Sequence, residues 1–182
     1  MSDSQKEKKI KKVLLMGLDN SGKTSILISL SKNCNILSFC SLKPTNRIAI
    51  TNIETEEQVL NIWDYGGQEA YRKEYLENLG KNLELVDKII FVIDVQDVER
   101  YNLALEYLKK IVEIIFREKG KVKFSIFLHK YDPNVEDCRG LENIDKLVND
   151  MIVEPIKSFF PSELEYDFHK TCIYSVFRKM SL

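Results

Sequence analysis

Residues 17 to 25 read GLDNSGKTS and follow the apolar run VLLM. Gly17 and Gly22 are two of only seven glycines in the chain, with Lys23 and Thr24 directly behind the second. The spacing fits G-x-x-x-x-G-K-[ST], a loop whose successive backbone N–H groups converge on one anion. Glycine is needed because a Cβ would obstruct the conformations such a loop takes. Asp19, Asn20, Ser21, Gly22, Lys23, Thr24 and Ser25 are the candidate phosphate-binding residues. Lys23 would reach the β- and γ-phosphates, which also makes it a candidate catalytic residue, and Thr24 would offer its hydroxyl to Mg²⁺. The N-terminus of the next helix would add the positive end of its dipole. The pattern also occurs by chance in surface turns. Here it stands between a strand run, Val13 to Leu15, and a helical stretch, Ser25 to Lys32, as the mechanism requires.

Two further polar groups fall at strand ends. Asp64 follows VLNIW in the stretch WDYGGQEAY and can hold Mg²⁺ through a water, opposite Thr24. Gly67, three residues on, offers a backbone N–H to a γ-phosphate with no side chain in the way. Gln68, the second candidate catalytic residue, is placed to orient a water for in-line attack. An isolated aspartate at a strand end is an ordinary turn residue; a phosphate loop upstream gives this one a role. The stretch HKYD, His129 to Asp132, ends the run KFSIFL. Asp132 can accept two hydrogen bonds from N1–H and the exocyclic amine of guanine, a pair that adenine lacks. The stem of Lys130 can lie along the ring face.

These groups need a frame. RIAITNI and QVLNIW alternate around the polar turn ETEE and predict a hairpin. KIIFVIDV and KFSIFLHK are continuous apolar runs, as in buried parallel strands. Tyr101 to Phe116 carries apolar residues at helical spacing, and so does Leu141 to Ile152, beyond which Pro155 argues against continuation. YDFHKTCIYSVF supplies a last strand. Strands alternating with helices predict a three-layer α/β domain with a mostly parallel sheet, whose ligands bind at the carboxyl ends of the strands.

At 182 residues the chain suits one domain. Its net charge of −1 gives no general argument for nucleic-acid binding. Cys34, Cys40, Cys138 and Cys172 show no metal-binding spacing and read as reduced thiols of a cytosolic protein. No run approaches the roughly 20 apolar residues that span a bilayer, and no signal peptide or lipidation motif is evident. The segment MSDSQKEKKIKK carries Lys6, Lys8, Lys9, Lys11 and Lys12, and residues 1–9 read as a basic flexible arm, with at most weak attraction to anionic lipid.

The chain resembles small GTPases of the Ras superfamily, between the Arf-like and Rag (Gtr) branches. KVLLMG, WDYGGQ, HKYD and the closing TCI resemble the Rag pattern; GLDNSGKTS and the Pro-Thr of LKPT look more like Arf. The resemblance covers about residues 10 to 177 and implies a P-loop G domain over 10–182, with a six-stranded sheet and helices on both faces. It implies that Thr45 ligates Mg²⁺ and meets the γ-phosphate, and that Thr171, Cys172 and Ile173 lie at guanine O6. His129 before Lys130 is itself Rag-like. Asp19 stands where many Ras-type proteins have glycine, which puts the usual arginine-finger activation in doubt. After Ile173 too little sequence remains for a full closing helix.

The reading that follows is a Mg²⁺-dependent GTP/GDP switch with slow hydrolysis, acting with effectors, an exchange factor and an activating protein. A GTPase homo- or heterodimer is possible under the same resemblance. The expected location is cytoplasmic, or peripheral at a membrane through partners. A GTP-binding module without turnover is the alternative, against which Gln68 argues. A P-loop kinase or ATPase would have no use for HKYD.

Overall fold

The computed structural model describes residues 8–31, 34–83, 85–139 and 141–174. Most of the basic arm and the stretch beyond Tyr174, where the closing helix is expected, lie outside the described residues.

Six strands form one sheet: β1 (Lys9–Gly17), β2 (Ile48–Glu54), β3 (Gln58–Tyr65), β4 (Val86–Asp94), β5 (Lys123–His129) and β6 (Tyr166–Thr171). Their order is β2-β3-β1-β4-β5-β6, and only β2 runs antiparallel. The hairpin is the one the alternation around ETEE predicts. Strand β1 begins at Lys9, opposite Gln58, within the segment read as an arm.

The helices are α1 (Lys23–Ser29), α2 (Ile36–Cys40), α3 (Glu69–Leu79), α4 (Tyr101–Arg117), α5 (Val135–Arg139), α6 (Ile144–Val148) and α7 (Glu154–Phe159). Buried Tyr101, Ala104, Leu108, Ile111, Val112 and Ile115 recur at 3.6-residue spacing and seat α4 on the sheet. Together with α3, α6 and α7 it covers one face, over Leu14, Ile89, Phe91 and Ile126. On the other face Leu27 of α1 packs with Val13, Leu15, Ile62 and Val92. No described helix is long and apolar enough to cross a membrane.

Two helix expectations need correction. Helix α1 starts at Lys23, not Ser25, and ends at Ser29. The helix predicted to stop before Pro155 does not stop. A π turn at Asn149–Val153 joins α6 to α7, and Pro155 falls in the first turn of α7. There a missing N–H is tolerated, and the wider turn relieves the preceding ladder. Val148, Ile152 and Ile156 stay buried throughout, so apolar burial outweighs the local proline signal.

Candidate functional site

The phosphate loop leaves β1 at Gly17 and enters α1 at Lys23. Gly17 (φ 143°) and Gly22 (φ 93°) occupy backbone conformations that side chains rarely adopt. A Cβ on Gly22 would also lie 2.4 Å from Cδ2 of His129. Asn20 takes φ 59°, which asparagine tolerates. Ser21 Oγ is buried without a partner. Lys23 folds back over the loop and donates to the carbonyls of Leu18 at 2.6 Å and Gly17 at 3.2 Å. It is 5% exposed. Burial lowers its pKa from 10.5 to about 8, opposed by the nearby Asp64 and Asp19 carboxylates. An ammonium so desolvated gains most from an anion.

Three oxygens meet beside it. Thr24 Oγ1 donates to Asp64 Oδ2 at 2.7 Å, Thr45 Oγ1 to the same oxygen at 3.0 Å, and the two hydroxyls lie 2.9 Å apart. Adjacent oxygens around an octahedral Mg²⁺ at roughly 2.0–2.1 Å stand about 2.9 Å apart, so the hydroxyl pair fits that ion. Asp64 is fully buried and its Oδ1 has no hydrogen-bond partner, a further group for a bound ion or its water to satisfy. Among the described residues no group of three or more His, Cys, Asp or Glu could hold a metal ion.

Thr45 arrives from the α2–β2 connection and Gly67 from the end of β3. With Asp19, Asn20, Gly22, Lys23, Thr24, Ser25 and Gln68 they line a cavity of about 280 Å³. Gln68 stands exposed immediately before α3. A second cavity continues past Gly22 and Ser25 and is lined by Phe39, His129, Lys130, Asp132 and Ile173.

At that base end His129 is 3% exposed, and its Nδ1 lies 2.9 Å from Thr171 Oγ1. Burial, with Lys130 adjacent, holds the imidazole below its ordinary pKa. It packs against Gly22, so it braces the phosphate loop as well as walling the cavity. Lys130 takes φ 63°, strained for a lysine, with Nζ on Asp94 Oδ2 at 2.6 Å. The Cys172 thiol is free, as are those of Cys34 and Cys40.

Sequence reasoning missed four residues here. Asp94 anchors Lys130. Gln96 Nε2 donates to Asp132 Oδ2 and to the Lys130 carbonyl, each at 2.7 Å. Arg100 grips Asp19 from a residue 81 positions away. Phe39 faces the base cavity from α2. The end of β4, DVQDVER, was legible as a strand end, but pairing its side chains with loops from two other strands takes coordinates. Phe39 stood in a stretch with no periodic signal.

An anion loop after the first strand and a lysine–aspartate loop after the fifth, at the carboxyl edge of one parallel sheet, define a nucleotide-binding domain of the small-GTPase class. Residues 12–179 match the family model described as Gtr1/RagA G protein conserved region, and the chain belongs to that family. It is 36% identical over 146 residues to ADP-ribosylation factor-like protein 2 of Dictyostelium discoideum, covering 80% of this chain and 72% of that protein. It is 34% identical over 146 residues to ADP-ribosylation factor-like protein alp41 of Schizosaccharomyces pombe, covering 79% and 70%. The Arl6 BBS3 small GTPase of Trypanosoma brucei, solved with the nucleotide analogue GppNp, shares the fold. Its TM-score is 0.66 at 22% identity, over 90% of this chain and 87% of that one. The protein is thus a small GTPase of the Rag and Arf-like kind, from a family that binds GTP and GDP.

Proposed function

We propose that this chain is a Mg²⁺-dependent switch that binds GTP and hydrolyses it slowly. The carrying observation is the convergence of Thr24, Thr45 and Asp64 oxygens within 3.0 Å at the phosphate end of the cleft, with Asp132 at its other end. Mg²⁺, when bound, would neutralise charge on the phosphates. The residues that hold it come from three separate segments, so a γ-phosphate can draw the Thr45 and Gln68 loops together and its loss can release them.

Lys23 contributes a fixed positive charge toward the β- and γ-phosphates. Gln68, exposed at the cavity wall, orients the attacking water. No arginine lines the phosphate cavity among the described residues. Arg47 is 3.8 Å from Glu74, Arg72 lies over the Tyr107 ring, and Arg100 is held by Asp19 and Asp97. Intrinsic turnover is therefore slow, on the order of 10⁻⁴ to 10⁻² s⁻¹, with room for a partner to supply roughly 10³- to 10⁵-fold. Effectors, an exchange factor, an activating protein and a possible GTPase dimer partner complete the cycle in a cytoplasmic or peripheral-membrane setting.

Single-turnover phosphate release with Mg²⁺ present tests the reading. Gln68→Leu should slow it at least tenfold while leaving GTP affinity within a few-fold, because the glutamine touches water and not nucleotide. Equal rates for the two proteins would remove Gln68 from the mechanism. Tight GTP binding without release by the wild type would favour a binding module.

A further inference from the structure

An acidic side chain stands in the wall of the phosphate cavity. Asp19 lines it beside Lys23 and Thr24, and its amide donates to the Gly67 carbonyl at 3.1 Å. That contact puts Asp19 next to the D-x-x-G glycine, at the end of the cleft where a third phosphate would lie. A bare carboxylate there opposes the ligand. At an effective dielectric near 20 and roughly 8 Å, one opposing unit charge amounts to about 30-fold in affinity, less where solvent screens it.

The structure supplies a counter-charge from another strand end. Arg100 Nη1 donates to both carboxylate oxygens of Asp19 at 3.2 Å, and Nη2 donates to the Asp19 carbonyl at 3.2 Å. On its other side Asp97 Oδ2 accepts from Nε at 2.5 Å. The guanidinium is thus held from both sides and grips backbone and side chain of Asp19 together. An isolated, partly exposed ion pair contributes little. A planar fork fixed by a second carboxylate is a network and retains more of its strength.

We propose that Arg100 is a positioning residue. By neutralising Asp19 and holding it in place, it lets a triphosphate lie against an acidic phosphate loop, so removing it costs GTP more than GDP. The proposal rests on the nucleotide reading above. It also gives the β4–α4 connection a task besides anchoring Lys130 through Asp94: the same turn sets the electrostatics of the phosphate end.

The test is a double-mutant cycle read by equilibrium binding of GppNp and GDP with Mg²⁺ present, with unfolding midpoints as a check on folding. Arg100→Ala should weaken GppNp about tenfold and GDP no more than about threefold. Adding Asp19→Ala should abolish the penalty, so that the double variant matches Asp19→Ala alone within about twofold. If Arg100 merely supports the fold, the double variant stays as weak as Arg100→Ala, and the inference falls. Arg100→Lys keeps the positive charge but not the planar fork, so its loss for GppNp should fall between that of the wild type and that of Arg100→Ala. A loss there equal to that of alanine would overturn the neutralising role, since the charge alone would then contribute nothing. Wild-type protein that binds neither nucleotide would sink the functional reading itself. Wild-type binding with an unrescued loss would sink only the role of Arg100.

Discussion

The carbonyl oxygen of Gly67 accepts a hydrogen bond from the amide of Asp19 at 3.1 Å, and a Cβ on Gly67 would lie 2.1 Å from that same nitrogen. The D-x-x-G loop is therefore closed against the phosphate loop, backbone on backbone, with no room for a side chain. Gly67→Ala must push the two apart. We expect a stability loss of about 1–3 kcal/mol, as for overpacking elsewhere, and at least a tenfold weaker response to GTP than to GDP. Chemical denaturation and nucleotide titration check both. Unchanged stability would mean that the loops are not in contact.

The oxygen cluster predicts how binding depends on the metal. Asp64→Ala removes the acceptor that orients Thr24 and Thr45, and loss of such an orienting group costs about 10- to 100-fold in metal affinity. Nucleotide affinity measured with Mg²⁺ and with chelator should differ widely for the wild type and little for the variant. An undiminished Mg²⁺ dependence would exclude Asp64 from the site.

Lys23 predicts a proton linkage. Its folded pKa, about 8, lies below the ordinary 10.5 because burial disfavours the ammonium. Between these values the unfolded chain holds a proton that the native chain has released, so native stability rises with pH across that window. Below pH 8 both states are protonated and the penalty is constant. The full effect is about 3 kcal/mol at most. Denaturant midpoints between pH 8 and 9.5 avoid the opposing contribution of Tyr75, whose pKa is raised to about 12, chiefly by burial. Lys23→Met should flatten the profile. Phosphate binding should restore the proton, so calorimetry near pH 9 in two buffers should show uptake approaching one.

Base selection predicts unequal costs along one hydrogen-bonded chain. Asp132→Asn swaps an acceptor for a donor and should weaken GTP roughly 10⁴-fold. Gln96→Ala removes one hydrogen bond that positions the Asp132 carboxylate, and should weaken GTP and GDP alike by about tenfold. Competition with a labelled guanine nucleotide reads both. A Gln96 effect confined to GTP would contradict its place at the base end.

The fold was largely legible because its signals are local. Buried parallel strands need continuous apolar runs, and an amphipathic helix such as α4 repeats its apolar residues every turn. Pro155 misled because its local rule assumes a regular α-helix. The π turn before it and the buried stripe through Ile152 and Ile156 changed the condition.

The sequence by itself determined the chemistry of each loop. Glycines at 17 and 22 with Lys23, the D-x-x-G after one apolar run and the aspartate after another are each readable because a backbone conformation or a ligand atom dictates a residue type at a fixed offset. Only the tertiary structure decided which loops touch: that His129 fills the space beneath Gly22, that Gln96 holds Asp132, that Arg100 reaches Asp19. Those contacts join segments dozens of residues apart. Their partners meet only because strand order sets β1 beside β4 and β4 beside β5, and no spacing along the chain encodes the distance between loops at the ends of different strands.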